Sequence, residues 1–215
     1  LMVALFALLS MKRSEQNRVW VGLSKETAHQ LGTPISSLMA WTEILHSTYP
    51  DDELIPEMSK DVHRLEIIAE RFSKIGSAPD TTPENLIDAV RRVAEYIDRR
   101  SSEHISISCR VPERPIIVSM CSPLFEWVIE NLCKNAIDAM NGEGCITLSV
   151  TQAHDLVYVD ITDTGKGIQK SHFKSVFSPG FTTKKRGWGL GLSLAKRIIE
   201  SYHKGRIYVK HSELG

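Results

Sequence analysis

The chain has 215 residues, 26 Lys and Arg against 26 Asp and Glu, 42% hydrophobic and 24% charged, an ordinary globular composition that excludes disorder and collagen-like repeats. Zero formal net charge removes the overall electrostatic case for a nucleic-acid binder, and no nucleic-acid partner is expected. This length holds one large core or two modest ones, and the change of pattern near residue 80 favours two.

Residues 1–11 are apolar apart from Ser10, yet at about 1.5 Å per residue they cover only half of a roughly 30 Å hydrocarbon layer. Lys12 and Arg13 follow, as expected on the cytoplasmic side of a membrane helix. Residues 1–13 therefore read as the cut end of a transmembrane helix with its basic flank. The alternative is an apolar helix end buried against a partner chain.

Residues 14–76 read as a helical hairpin. Ala28, Leu31, Ile35, Leu38, Thr42 and Leu45 follow heptad spacing, as do Ile55, Met58, Val62, Leu65, Ala69 and Phe72, with the turn between His46 and Asp52. Two such stripes exceed what one pair of helices covers, so a four-helix bundle made by a homodimer is expected. Residues 77–82 form a turn-rich linker.

From residue 83 to 215 helical and alternating segments mix. Thr82 and Pro83 read as the cap and first position of a helix to about Arg100, and Ser122 and Pro123 of another to about Asn141. Strand-like alternation covers residues 105–111, 116–118, 146–150 and 156–161, followed by a helix near Leu190–Tyr202 and a strand Arg206–Lys210. The fold class is α+β, a helical hairpin followed by a helix-and-sheet sandwich. Cys109, Cys121, Cys133 and Cys145 show no metal or disulfide spacing and read as small buried apolar groups in a reducing compartment.

Three motifs in the second half carry chemistry. Asn131 and Asn135 present amide oxygens on one helix face, with Asp138 further along, and neutral hard oxygens suit Mg²⁺ when phosphates supply charge. Asp163-Thr-Gly165-Lys-Gly167 follows a strand, where a carboxylate can accept from an exocyclic amine and glycines let backbone approach a flat ring. Gly187-Trp-Gly189-Leu-Gly191 opens a helix, offering free N–H groups to an anion. Between the last two lies a segment containing Thr183, Lys184, Lys185 and Arg186, a cation cluster flanked by glycines that can order on a polyanion.

In this order the motifs resemble the N, G1, F and G2 boxes of the GHKL ATP-binding fold over about Asn131–Leu194. The resemblance implies an ATP site with Mg²⁺: Asn131 and Asn135 facing metal and phosphates, Asp163 with Gly165 and Gly167 at the adenine, and Thr183, Lys184, Gly187, Gly189 and Gly191 at the phosphates under a mobile lid. His29-Gln-Leu-Gly-Thr33-Pro34 resembles the H box of sensor histidine kinases with a HisKA hairpin. It implies autophosphorylation of His29 from ATP and transfer to an aspartate of a response regulator, in the cytoplasmic portion of an inner-membrane protein. Thr33 would place a water for the reverse phosphatase activity.

On the residues alone, His29 lies one position off the apolar seam and shares a polar face with Glu26, Thr33 and Ser36, so it is expected to be exposed. Gln30 stands where most of that family has an acidic residue, which predicts slow autophosphorylation with Glu26 as substitute base. Gly32 replaces a common basic residue, and His203-Lys-Gly205 replaces the usual His-Gly-Gly. The chain ends before the last glycine-rich turn and strand of the resembled domain, which reads as C-terminally incomplete. The competing readings are a kinase-weak scaffold or phosphatase-dominant dimer and, ranked last, a GHKL chaperone or topoisomerase-like ATPase.

Overall fold

A computed structural model describes residues 26, 28–76, 79–184 and 189–214. The apolar segment and basic flank at residues 1–13 lie outside the described residues, as do residues 77–78 of the expected linker. Among the described residues no helix is long and apolar enough to cross a membrane. The chain divides into two compact units between Pro79 and Asp80.

The first unit contains α1 (residues 28–48, with Glu26 also helical) and α2 (Leu54–Gly76), joined by a turn at residues 49–53. Asp52 accepts the Leu54 N–H at 2.8 Å, and Pro56 sits in the first turn of α2, where no intrahelical N–H is needed. Ile35, Val62 and Ala69 pack together with Met39 against them. The apolar stripe splits into two lines. Ile35 and Val62 are 6% and 8% exposed, whereas Leu38 and Leu65 remain 45% and 46% exposed. One line closes the hairpin and the other is left on its surface.

The second unit starts with β1 (Thr82–Asn85), which pairs antiparallel with β3 (Ile117–Met120). This corrects the expected helix start at Thr82 and Pro83. The helix α3 (Leu86–Asp98) begins later because Asn85 caps it, accepting from Ile87 N–H at 3.3 Å and from Ile116 N–H at 3.1 Å. Pro83 is tolerated in a short edge strand.

β2 (Ile105–Arg110), β4 (Gly144–Ala153) and β5 (Leu156–Asp163) form a second sheet in the order β2-β4-β5. β2 and β4 are parallel and β4 and β5 antiparallel. A parallel pair needs a crossover, and α4 (Ser122–Ala139) lies within it. Val90, Val93 and Ile97 of α3, Ile129 and Cys133 of α4, and Ile146, Leu148 and Val150 of β4 share one core. The cap of α4 is Cys121 rather than the expected Ser122, whose hydroxyl instead donates to Glu84.

Two short 3-10 turns at Lys170–His172 and Ser175–Phe177 lead towards α5 (Gly191–Arg197), which continues into a π-helical turn at Ile198–Tyr202. Residues 206–210, expected as a strand, carry no ladder. They are tied to the sheet by Lys210, which donates to Asp160 at 3.2 Å. The cysteines are all free, but only Cys121 and Cys133 are buried; Cys145 is exposed because the alternation of β4 turns it away from the face of Ile146 and Leu148, and Cys109, on the core face of β2, is exposed near the end of that edge strand.

Candidate functional site

In the first unit His29 is exposed on α1, on the polar side of the seam. It borders an open groove of about 1050 Å³ whose walls include Glu26, Gly32, Thr33, Ser36 and Ser73. Small side chains one and two turns from the imidazole make that space. The Glu26 carboxylate accepts from the Gln30 amide at 2.7 Å, and Thr33 is exposed. The four residues expected to act together therefore share one accessible region.

In the second unit α4 carries Asn131, Asn135 and Asp138 on one face. The helix is fixed at both ends. At its start the Cys121 N–H donates to His203 Nε2 at 3.1 Å, and His203 Nδ1 in turn donates to the Ile198 carbonyl at 2.9 Å. At its end the Lys166 N–H donates to the Ala139 carbonyl at 3.1 Å. A Cβ on Gly165 would lie 2.7 Å from that of Ala139, so only glycine lets the loop after β5 dock on α4.

Asp163 ends β5 with an exposed carboxylate whose Oδ1 accepts from Gly165 N–H at 2.9 Å. Its remaining lone pairs suit an incoming amine. Gly167 has φ +75, and a Cβ there would lie 1.9 Å from the Glu213 carbonyl. Ser212 accepts from Ile168 N–H at 2.8 Å. Both glycines thus make room for the chain itself, where the sequence had suggested room for a flat ring.

The phosphate-side residues also converge. A Cβ on Gly191 would lie 2.6 Å from Asn131 Oδ1, which sets the start of α5 directly on that asparagine. Gly189, at φ +64, packs on Gly180, whose N–H donates to the Gly189 carbonyl at 3.0 Å. Thr183 and Lys184 are exposed, and Lys184 donates to Asn135 Oδ1 at 2.9 Å and to Asp138 Oδ2 at 2.5 Å. Gly187, with Lys185 and Arg186, lies outside the described residues.

The donor set fits the anionic phosphates of a nucleotide on one observation in particular. Asn131 Nδ2 is buried without a hydrogen-bond partner among the described residues, a costly state for a polar atom that a ligand would relieve. Neutral oxygens on α4, the Lys184 ammonium and the glycine-framed start of α5 supply the remaining chemistry. Among the described residues no group of three or more His, Cys, Asp and Glu could hold a metal ion.

Residues 122–215 match the family described as histidine kinase-, DNA gyrase B- and HSP90-like ATPase. The catalytic domain of histidine kinase ThkA is 30% identical, with a TM-score of 0.58, over 62% of this chain and 89% of that one. The chain belongs to the histidine kinase family.

Its second unit has the GHKL-type fold of histidine kinase catalytic domains. Sensor histidine kinase ZraS of Salmonella typhi is 29% identical over 212 residues, which is 95% of this chain and 45% of that protein. Sporulation kinase D of Bacillus subtilis (strain 168) is 24% identical, over 87% of this chain and 38% of its own length. The chain thus spans less than half the length of these curated relatives. The fold also resembles ThkA as solved in complex with response regulator protein TrrA, with a TM-score of 0.60 at 24% identity, over 95% of this chain and 62% of that one.

The sequence places Asp138 on the helix of Asn131 and Asn135 without giving it a role, and it gives no signal for Ser212.

Proposed function

We propose that this chain is the kinase portion of a membrane-anchored sensor histidine kinase, using Mg-ATP to phosphorylate its own His29 and passing the phosphoryl group to an aspartate of a response regulator. The observation that carries the reading is the buried Asn131 Nδ2, without a partner among the described residues, beside the glycine-framed start of α5, combined with an exposed imidazole on a separate helical unit.

Lys184 and the N–H groups at the start of α5 bind and orient the phosphates, and Asp163 holds the adenine amine. Asn131 and Asn135 would hold Mg²⁺, which when bound offsets negative charge on the transferring group. The neutral imidazole of His29 attacks the γ-phosphorus with its unprotonated nitrogen. An N–P bond forms, the bond to the bridging oxygen breaks, and ADP leaves with that electron pair. The proton on the other ring nitrogen passes to a base, for which Glu26 is the carboxylate on the same face. Thr33 offers a hydroxyl to orient water for the reverse hydrolysis of the regulator's phosphoaspartate.

The exposed line of Leu38 and Leu65 supports a homodimer in which two hairpins form a four-helix bundle. Residues 1–13, with their basic flank, support attachment to a membrane with the kinase units on its cytoplasmic side.

Incubation with γ-labelled ATP tests the reading. Acid-labile label that disappears in His29→Ala and in Asn135→Ala supports it, and label that survives His29→Ala overturns it. The bond between Gln30 and Glu26 favours one second reading, a dimer with weak kinase activity that mainly dephosphorylates its regulator. Nucleotide binding without transfer to His29 would select that second reading.

A further inference from the structure

Lys184 and Asp138 lie 46 residues apart in sequence, yet one ammonium joins the Asp138 carboxylate to the Asn135 amide oxygen. These are the oxygens that would otherwise face a hard cation. The chain therefore supplies its own cation to the face of α4 that the ATP reading assigns to metal and phosphate. The ATP reading also sets Lys184 against the phosphates, so the carboxylate and a phosphate would compete for one ammonium.

We propose that Asp138 is a positioning residue that holds Lys184 on α4 while the site is free of nucleotide, so that phosphate must draw the ammonium away and Asp138 thereby lowers nucleotide affinity. This rests on the reading of the second unit as an ATP site. The two side chains are 43% and 57% exposed, which makes their attraction modest and sensitive to salt. Removing the carboxylate frees Lys184 without emptying the phosphate pocket. The predicted ligand class is a nucleoside triphosphate or diphosphate, with the effect acting through its terminal phosphates.

Two measurements on the full chain test this. In the first, the nucleotide-free protein is acetylated with acetic anhydride, and modification of Lys184 is read by mass spectrometry against Lys134 and Lys196. Asp138→Asn should raise the relative modification of Lys184 about threefold at low salt, and Asp138→Glu should restore protection. In the second, ATP binding is titrated in EDTA. Asp138→Asn should tighten binding about threefold at low salt, with no such gain in a Lys184→Gln background.

Unchanged acetylation of Lys184 in Asp138→Asn overturns the proposed restraint. Weaker ATP binding in Asp138→Asn, equal in size with and without Lys184→Gln, also overturns it and makes Asp138 a direct contact. Wild-type chain that binds no ATP, with Lys184 still protected, instead sinks the ATP-site reading and the proposed effect on affinity with it.

Discussion

Gln30 donates its side-chain amide to the Glu26 carboxylate at 2.7 Å, one turn back along α1, and His29 lies between them in sequence on an exposed stretch of helix. The neutral amide cannot take a proton from the imidazole, so the carboxylate on this face is the one Gln30 itself engages. Gln30→Glu is expected to raise the initial autophosphorylation rate about tenfold by placing a base beside His29, and Glu26→Gln to lower the wild-type rate. Initial rates with labelled ATP decide the matter; no gain in the first variant together with no loss in the second removes base catalysis from the account.

The two lines of the hairpin stripe separate folding from assembly. Ile35→Ala opens a hole beside Val62 and Ala69 and should cost about 2–4 kcal/mol, read as a lower denaturant midpoint. Leu38→Glu alters a side chain already 45% exposed, so it should keep the helix content by circular dichroism yet shift the chain from dimer to monomer in sedimentation. A wild-type chain that sediments as a monomer would refute the dimer.

The hydrogen bond from Ser122 holds the Glu84 carboxyl below its ordinary value of 4.5, helped by a weaker bond from Thr82 and opposed by partial burial. A lowered folded value means that the interaction stabilises the fold while Glu84 is ionised, in full above its unfolded value, and is lost as pH falls through the folded one. Ser122→Ala should therefore cost about 1 kcal/mol or less near pH 7, after discounting for exposure, and progressively less as pH falls below the ordinary value of 4.5. Thermal melts of both proteins across that range should converge at the acid end; parallel curves would contradict the assignment.

Cysteine labelling reports the packing of α4 against the sheet. Burial, with a smaller push from the Glu130 charge, raises the Cys133 thiol to about 12, and desolvation raises Cys109 to a lesser degree. Iodoacetamide near pH 8 should modify Cys145 first, Cys109 more slowly, and Cys121 and Cys133 only on unfolding. Rapid modification of Cys133 in the native protein would mean that α4 does not lie as described.

What could be read in the sequence was what repeats or stays local. The 3-and-4 spacing announced α1 and α2 because a helix must put such residues on one face, and β4 declared itself through Ile146, Leu148 and Val150. Thr82 and Pro83 misled because they make a good helix start in isolation, whereas Asn85 has the stronger claim through bonds to both Ile87 and the distant Ile116. Asn131, Asn135 and Asp163 were visible as motif members. The contact of Lys184 with Asp138 and the cover of Gly167 by Glu213 were not, since each joins segments whose encounter depends on the whole sheet being built.

The clamp on α4 sets an order of events during synthesis. His203 takes the Cys121 N–H from a position after α5, and Lys166 reaches Ala139 from beyond β5. A nascent chain halted before residue 203 would carry both asparagines on a helix whose first turn has lost its acceptor. Competence to receive a ligand therefore arrives late on the ribosome, well after the two asparagines have been made.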